Sequence, residues 1–259
     1  MSTTPVRTLR LTVAYDGTAC HGWQVQRAQP TIQGLLTRAL SEILREPVRV
    51  VGASRTDAGV HALGQVASLT TMSRLSLLAI RSGANALLPA DIRVLRASEA
   101  PPGFDARRWA RSKRYAYLID RAPVASPLLR RYAWHLPQPL DLAAMMSGLR
   151  ELRGKHDFSA FCAAPGRART PICSLFSARL ATRRSLLAIF VSADSFLHHM
   201  VRNMVGSLVE VGRGRRPPEW IRELLLGRDR ARAGITAPAH GLTLLRVSCA
   251  LDRAFRPDR

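Results

Sequence analysis

The 259-residue chain is 47% apolar and carries 39 Lys and Arg against 18 Asp and Glu, a formal charge of +21. That apolar fraction excludes a disordered chain, and the length supports one large domain or two ordinary ones without a disulfide or metal staple. So large a basic excess points to a polyanionic partner, most simply nucleic acid. All the basic residues but Lys113 and Lys155 are arginine. Codon usage in a GC-rich genome would account for Arg over Lys but not for so few acids.

Residues 6–15 alternate, with Leu9, Leu11, Val13 and Tyr15 on one face and Thr8, Arg10, Thr12 and Ala14 on the other, which predicts a half-buried strand. The stretch DGTACHGWQVQRAQP breaks the pattern. Thr31 is placed to cap a helix with apolar positions Ile32, Leu35, Leu36, Ala39, Leu40, Ile43 and Leu44, which Pro47 closes. VRVVGA and GQVASLT predict two more strands, RLSLLAIRSGANALL a second helix and DIRVLRASEA a fourth strand. The order β-α-β-β-α-β is that of a split βαβ, or ferredoxin-like, unit on an antiparallel sheet.

PPGFDARRWARS, residues 101–112, reads as a hinge. The division follows as residues 1–104 and 105–259. KRYAYLID then predicts a strand with Tyr115, Tyr117 and Ile119 on one face, followed by a helix near Leu140 to Leu152 and a loop, GKHDFSAFCAAPGRARTP. CSLFSARLAT and SLLAIFVSA predict strands, Phe196 to Gly212 and PPEWIRELLL helices, and TLLRVSCAL a closing strand. The expected fold class is α+β: two ferredoxin-like-related lobes, mainly antiparallel sheets flanked by helices, with a basic cleft between them.

Cys20, Cys162, Cys173 and Cys249 form no C-x-x-C pair and have no nearby His completing a zinc pattern, so no metal site is expected. No P-loop or dinucleotide fingerprint is present, so no cofactor is expected either. The N-terminal stretch lacks a long apolar core and no run approaches a membrane span, giving a cytoplasmic expectation with no membrane partner.

One stretch calls for chemistry. VGASRTDAGVHALGQVAS sets a single acid, Asp57, two residues after Arg55 and among Gly52, Ala53, Ser54, Ala58 and Gly59. Taken alone, it is a strand connection whose Asp caps a turn. A carboxylate repels a phosphate backbone, however, so in a nucleic-acid-binding chain its place suits work on a base or sugar, and small neighbours would let a flat substrate approach. A binding protein without activity would keep the charge but would not need Arg55, Thr56 and Asp57 together. A metal-dependent nuclease would need clustered carboxylates, whereas the acids here are scattered.

GASRTDAGVHALGQV resembles the signature of the TruA-type tRNA pseudouridine synthases, GxGRTDxGVHA. AYDGTACHGWQ, ANALLPADIRV, FDARRWARSKRYAYLI, HDFSAFCA, FLHHMVRNMVGSLVEVGRG and AHGLTLLRV resemble the family's other segments, in its order. Ser54 stands where the family usually has Gly, and Cys20 where it usually has an aromatic residue. The resemblance implies conversion of uridine to pseudouridine at positions 38, 39 and 40 of the tRNA anticodon stem-loop by a homodimer, without cofactor or metal. It implies that Asp57 is the catalytic carboxylate and that Tyr115 stacks on the target base. It also implies that Arg202 pairs with Asp57, while Arg55 is placed to hold a phosphate or fill the vacated stack. On a helical wheel, Leu197, Met200, Val201, Met204, Val205 and Leu208 make a buried stripe, with His199, Arg202 and Gly206 opposite. His198 and His199 are expected to contact RNA or structure. Arg107, Arg108, Arg111 and Arg114 are expected to track phosphates, and the Arg-rich loop CAAPGRARTP to modify RNA contacts.

Overall fold

The computed structural model describes residues 6–163 and 170–252. The chain is α+β, with five α-helices and mostly antiparallel strands among the described residues, and it divides into two compact units. One runs to Arg111 and takes in the chain again from Leu244; the other runs from Ser112 to Thr243.

The first unit opens with β1 (Arg7–Tyr15), whose Leu9, Leu11, Val13 and Tyr15 are buried as the alternation predicts. Helix α1 (Ile32–Leu44) begins where Thr31 accepts the Gly34 N–H. A cap of this kind is worth about 1 kcal/mol. The helix ends before Pro47, at Arg45 in the left-handed conformation (φ 54°), whose N–H returns to the carbonyls of Ser41 and Glu42. The strand predicted over VRVVGA shrinks to β2 (Val51–Gly52), and that over GQVASLT grows into β3 (His61–Thr71). Helix α2 (Leu77–Leu87) is capped by Ser76 and precedes β4 (Ile92–Ala100). The sheet runs β4-β1-β3, with β2 on the other edge of β3, all antiparallel, and α1 packs against α2. Element order and pairing are those of the split βαβ unit.

The second unit starts in β5 (Ala110–Asp120), on which Tyr117 and Ile119 are fully buried. Two strands lie where none was expected. β6 (Trp134–His135) pairs in parallel with the end of β5, Ile119 facing Trp134. After α3 (Leu142–Glu151), the segment read as a loop contains β7 (Gly154–Asp157) and a 3-10 turn at Ser159–Phe161. β7 pairs with β8 (Ile172–Arg183), Gly154 opposite Leu175, an alignment that local sequence does not encode. Residues 164–169 of the Arg-rich loop lie outside the described residues. β9 (Leu186–Ala193) completes the order β5-β9-β8-β7.

Helix α4 spans Met200–Gly212 rather than beginning at Phe196, because His199 is left-handed (φ 60°) and cannot continue a right-handed helix. It is buried nearly all round, so the two-sided wheel expected for it is replaced by a core helix on which Arg202 is only half-buried. Helix α5 (Trp220–Gly227) follows Pro217 and Pro218, and α3 packs on both α4 and α5.

The last strand, β10 (Leu242–Cys249), returns to the first unit and runs beside β3. β2 and β10 share one edge of β3: β2 meets Ala67 and Ser68, while a Cβ on Gly64 would run into the Leu245 carbonyl. The units thus divide the chain between Arg111 and Ser112 and return the closing segment to the first unit, whereas the sequence-based division at 104 and 105 leaves it in the second.

Candidate active site

Asp57 sits in the loop between β2 and β3, half-buried, with Arg55 exposed beside it and Thr56 buried between them. Backbone and core groups hold this loop from below. The Trp23 N–H donates to the Thr56 carbonyl (3.0 Å), and the Val60 N–H donates to the Asp57 carbonyl (3.2 Å). The Tyr15 hydroxyl lies 2.8 Å from Thr56 Oγ1, reaching up from a β1 whose pairing register shifts just before it. Gln65, fully buried on β3, brackets Ser54: its Oε1 accepts the Ser54 N–H (3.1 Å), and its Nε2 donates to the Ser54 carbonyl (2.7 Å). Buried polar groups joined in this way fix a single backbone course.

The small residues turn out to serve packing. A Cβ on Gly52 would fall inside the Trp23 indole, and Trp23 is itself only 1% exposed. A Cβ on Gly17 would meet the Val60 carbonyl, and one on Gly22 (φ 82°) would sit 2.7 Å from the Thr56 carbonyl. The DGTACHGW stretch therefore lies directly under the RTDAG loop, and glycines are what permit the contact. Ala53 and Ser54 are buried as well, which leaves Ala58 as the exposed small neighbour of Asp57. The stretch is pinned in turn by α1: the Ile32 N–H donates to the Gly22 carbonyl (3.1 Å) and the Gln33 N–H to the Trp23 carbonyl (3.0 Å). Gln33 Oε1 accepts the Val25 N–H (3.0 Å) while its Nε2 donates to the Val50 carbonyl (2.8 Å). The result is a rigid floor under the half-buried Asp57.

Further along the first unit, the Asp105 carboxylate accepts the N–H groups of Arg107 and Arg108, each at 2.8 Å, and Phe104 meets Trp109 edge-on at 5.5 Å. This turn presents Arg107 and Arg108, and Arg111 after them, to solvent.

In the second unit, Tyr115 is 5% exposed and meets Phe196 edge-to-face at 5.1 Å, while Arg114 beside it is half-buried. His198 and His199 follow, their rings 3.9 Å apart. Arg202 is tied to the segment that follows α5. Its Nε donates to the Ala237 carbonyl (2.8 Å), and its own carbonyl accepts the Ala237 N–H (3.1 Å). Tyr117 lies beneath, donating its hydroxyl to the Pro238 carbonyl (2.8 Å). Burial pushes the Tyr117 hydroxyl far above the ordinary tyrosine value, with the Arg202 charge opposing weakly, so Tyr117 stays a neutral donor.

Sequence reasoning placed Arg55 and Asp57 on one loop, as found, but it missed Trp23, Tyr15, Gln65 and the 230–238 segment. Gln65 carries a readable signal, a lone amide in the apolar run of β3. Ala237 carries none, since its contribution is a backbone carbonyl.

A family model described as tRNA pseudouridine synthase matches residues 11–107 and 149–248. A curated relative from Pelobacter propionicus, tRNA pseudouridine synthase A, is 48% identical over 243 residues, covering 94% of this chain and 100% of its own. Relatives of the same name from Myxococcus xanthus (45% identical, covering 92% of this chain and 91% of theirs) and Moorella thermoacetica (46%, covering 92% and 98%) are similar throughout as well. The chain belongs to the tRNA pseudouridine synthase family and is an isomerase.

Proposed function

We infer that the protein converts uridine to pseudouridine at positions 38, 39 and 40 of the tRNA anticodon stem-loop, with Asp57 as the reacting carboxylate. The observation that carries this reading is the Asp57 loop: Trp23 and Gln65 hold its backbone and Tyr15 its Thr56 hydroxyl, while Asp57 stays half-buried rather than sealed in the core. In the reaction the N1–C1′ bond breaks, the uracil turns, C5 bonds to C1′, and C5 gives up its proton while N1 gains one. A carboxylate can attack either C6 of the ring or C1′ of the ribose, and an acceptor is needed for the C5 proton.

A stacked base cannot reach Asp57, so the target uridine is extruded. Arg55, exposed on the same loop, holds a phosphate or fills the space left behind. Tyr115 gives the extruded uracil a flat face once the base displaces what covers the ring. Arg202 supplies the cation that pairs with the Asp57 carboxylate. The exposed Arg107, Arg108 and Arg111, with Arg114, track phosphates in a basic cleft between two lobes. The enzyme acts in the cytoplasm as a homodimer spanned by the tRNA, with no cofactor or metal.

The test is Asp57→Asn assayed on anticodon stem-loop tRNA, with pseudouridine mapped by its carbodiimide adduct. Asparagine keeps the size but removes the attacking oxygen, so RNA binding should persist while product disappears. Product at close to the normal rate would refute the assignment of Asp57.

A further inference from the structure

The 230–238 segment is clamped to α4 along Asn203, Gly206 and Ser207, and its far end meets Arg202. Glycines allow the approach. A Cβ on Gly206 would run into the Ile235 carbonyl, and one on Gly234 would sit 2.7 Å from Ser207. Ser207 closes the near end, donating its hydroxyl to the Asn203 carbonyl (2.9 Å) and accepting the Gly234 N–H (3.0 Å).

Arg230 then ties the segment together from within. Its Nη1 donates to the Gly234 carbonyl (2.9 Å), and its Nη2 donates to both Thr236 Oγ1 and Asn203 Oδ1 (3.0 Å each). Thr236 Oγ1 donates to the same Asn203 oxygen (2.7 Å). Asn203 is fully buried, and its Nδ2 is anchored on the Phe161 carbonyl (2.7 Å). Asn203 is next in sequence to Arg202, and Thr236 is next to Ala237, whose carbonyl takes Arg202 Nε.

We propose that Arg230 is a positioning residue for Arg202: by bridging Asn203, Thr236 and Gly234 it sets the Ala237 carbonyl that fixes the Arg202 guanidinium. A planar guanidinium held at Nε loses its freedom to swing, and its Nη end is left pointing in one direction. Arg230 itself donates to three protein oxygens, so its charge is spent inside the clamp. A lysine cannot reproduce that fork. The inference rests on the role of Arg202 given above, which fixing by Arg230 would make effective.

The experiment measures single-turnover pseudouridine formation, RNA affinity and thermal midpoint for the full chain. The variants are Arg230→Gln, Arg230→Lys, the milder Thr236→Val, Arg202→Lys and the pair Arg202→Lys/Arg230→Gln. A guanidinium displaced by about 1 Å should cost the rate constant roughly 10- to 100-fold, so Arg230→Gln and Arg230→Lys should fall in that range. Thr236→Val should fall less, and RNA affinity should stay within about threefold. The pair should be no slower than Arg202→Lys alone, because residues acting through one another do not add.

Wild-type rates in folded Arg230→Gln and Thr236→Val, with Arg202→Lys slow, would overturn the proposal while leaving Arg202 in place. So would a pair whose losses multiply, or rates that fall only in proportion to the folded fraction. Full activity of Arg202→Lys would overturn the role of Arg202 and this proposal with it. An inactive wild type on every tRNA would overturn the functional reading itself.

Discussion

The indole of Trp23 occupies the space that a side chain on Gly52 would need, and the main-chain N–H of Trp23 donates to the carbonyl of Thr56, the residue before Asp57. The packing of one aromatic ring and the course of the Asp57 loop are therefore one constraint. Gly52→Ala should push the ring off its seat, cost about 1–3 kcal/mol as overpacking does, and slow turnover by moving Thr56. Replacing Trp23 by Phe in the same chain should return part of the stability. Thermal unfolding and single-turnover rates check both, and a Gly52→Ala protein equal to wild type in each would show that the ring has room to move.

Tyr115→Phe should retain tRNA binding and most of the turnover, since the flat face remains and so does the edge-on contact with Phe196. Tyr115→Ala should lose more turnover than binding, stacking on a base being worth about 1–3 kcal/mol. Equal rates for wild type and Tyr115→Ala would make this ring core packing alone, in keeping with its 5% exposure.

Asp252 accepts Arg10 Nη1 at 2.6 Å on one oxygen and the Cys249 N–H at 2.8 Å on the other. Burial works to raise its pKa, but the Arg10 hydrogen bond, the Cys249 N–H and the nearby arginine charges outweigh it, so the carboxyl is held below its usual value. A lowered folded value contributes stability above the unfolded carboxylate pKa of about 3.9 and loses it as pH falls through the folded value. Asp252→Asn should therefore cost roughly 2 kcal/mol near neutral pH, and its deficit should shrink on acidification. Denaturant titrations at several pH values measure this; a deficit independent of pH would remove the charge from the account.

With a formal charge of +21, tRNA affinity should fall by more than about tenfold between roughly 50 and 200 mM salt. Replacing Arg107 and Arg108 together should flatten that dependence without abolishing chemistry at saturating RNA. A titration at fixed magnesium reads the slope, and an affinity indifferent to salt would refute the electrostatic reading.

What the sequence disclosed follows from how local each feature is. The Thr31 cap and the alternation of Leu9, Leu11 and Val13 are properties of neighbouring residues, and both elements form where expected. The shortening of β2 was hidden because how far that strand pairs is decided by β3, not by its own composition. The two residues of β6 and the four of β7 were hidden for the same reason: their partners, not their own composition, make them strands. At the site, the RTDAG loop stood out by its residue types. What holds it, the Trp23 ring in the space above Gly52, depends on contacts that no periodicity reports. The bond from Arg202 to the Ala237 carbonyl is hidden more deeply, since any residue at 237 offers the same oxygen.

The return of β10 to the first unit bears on the order in which the chain is made. Protein synthesis delivers the Asp57 loop early, yet the edge of β3 around Gly64 is closed only by Leu245 and its neighbours, some of the last described residues to leave the ribosome. Domains ordinarily fold in the order of their emergence; here that edge of the first unit can be closed only after the second has been translated. Throughout that interval β3 presents unpaired N–H and C=O groups beside an apolar face, the template on which nascent chains join edge to edge.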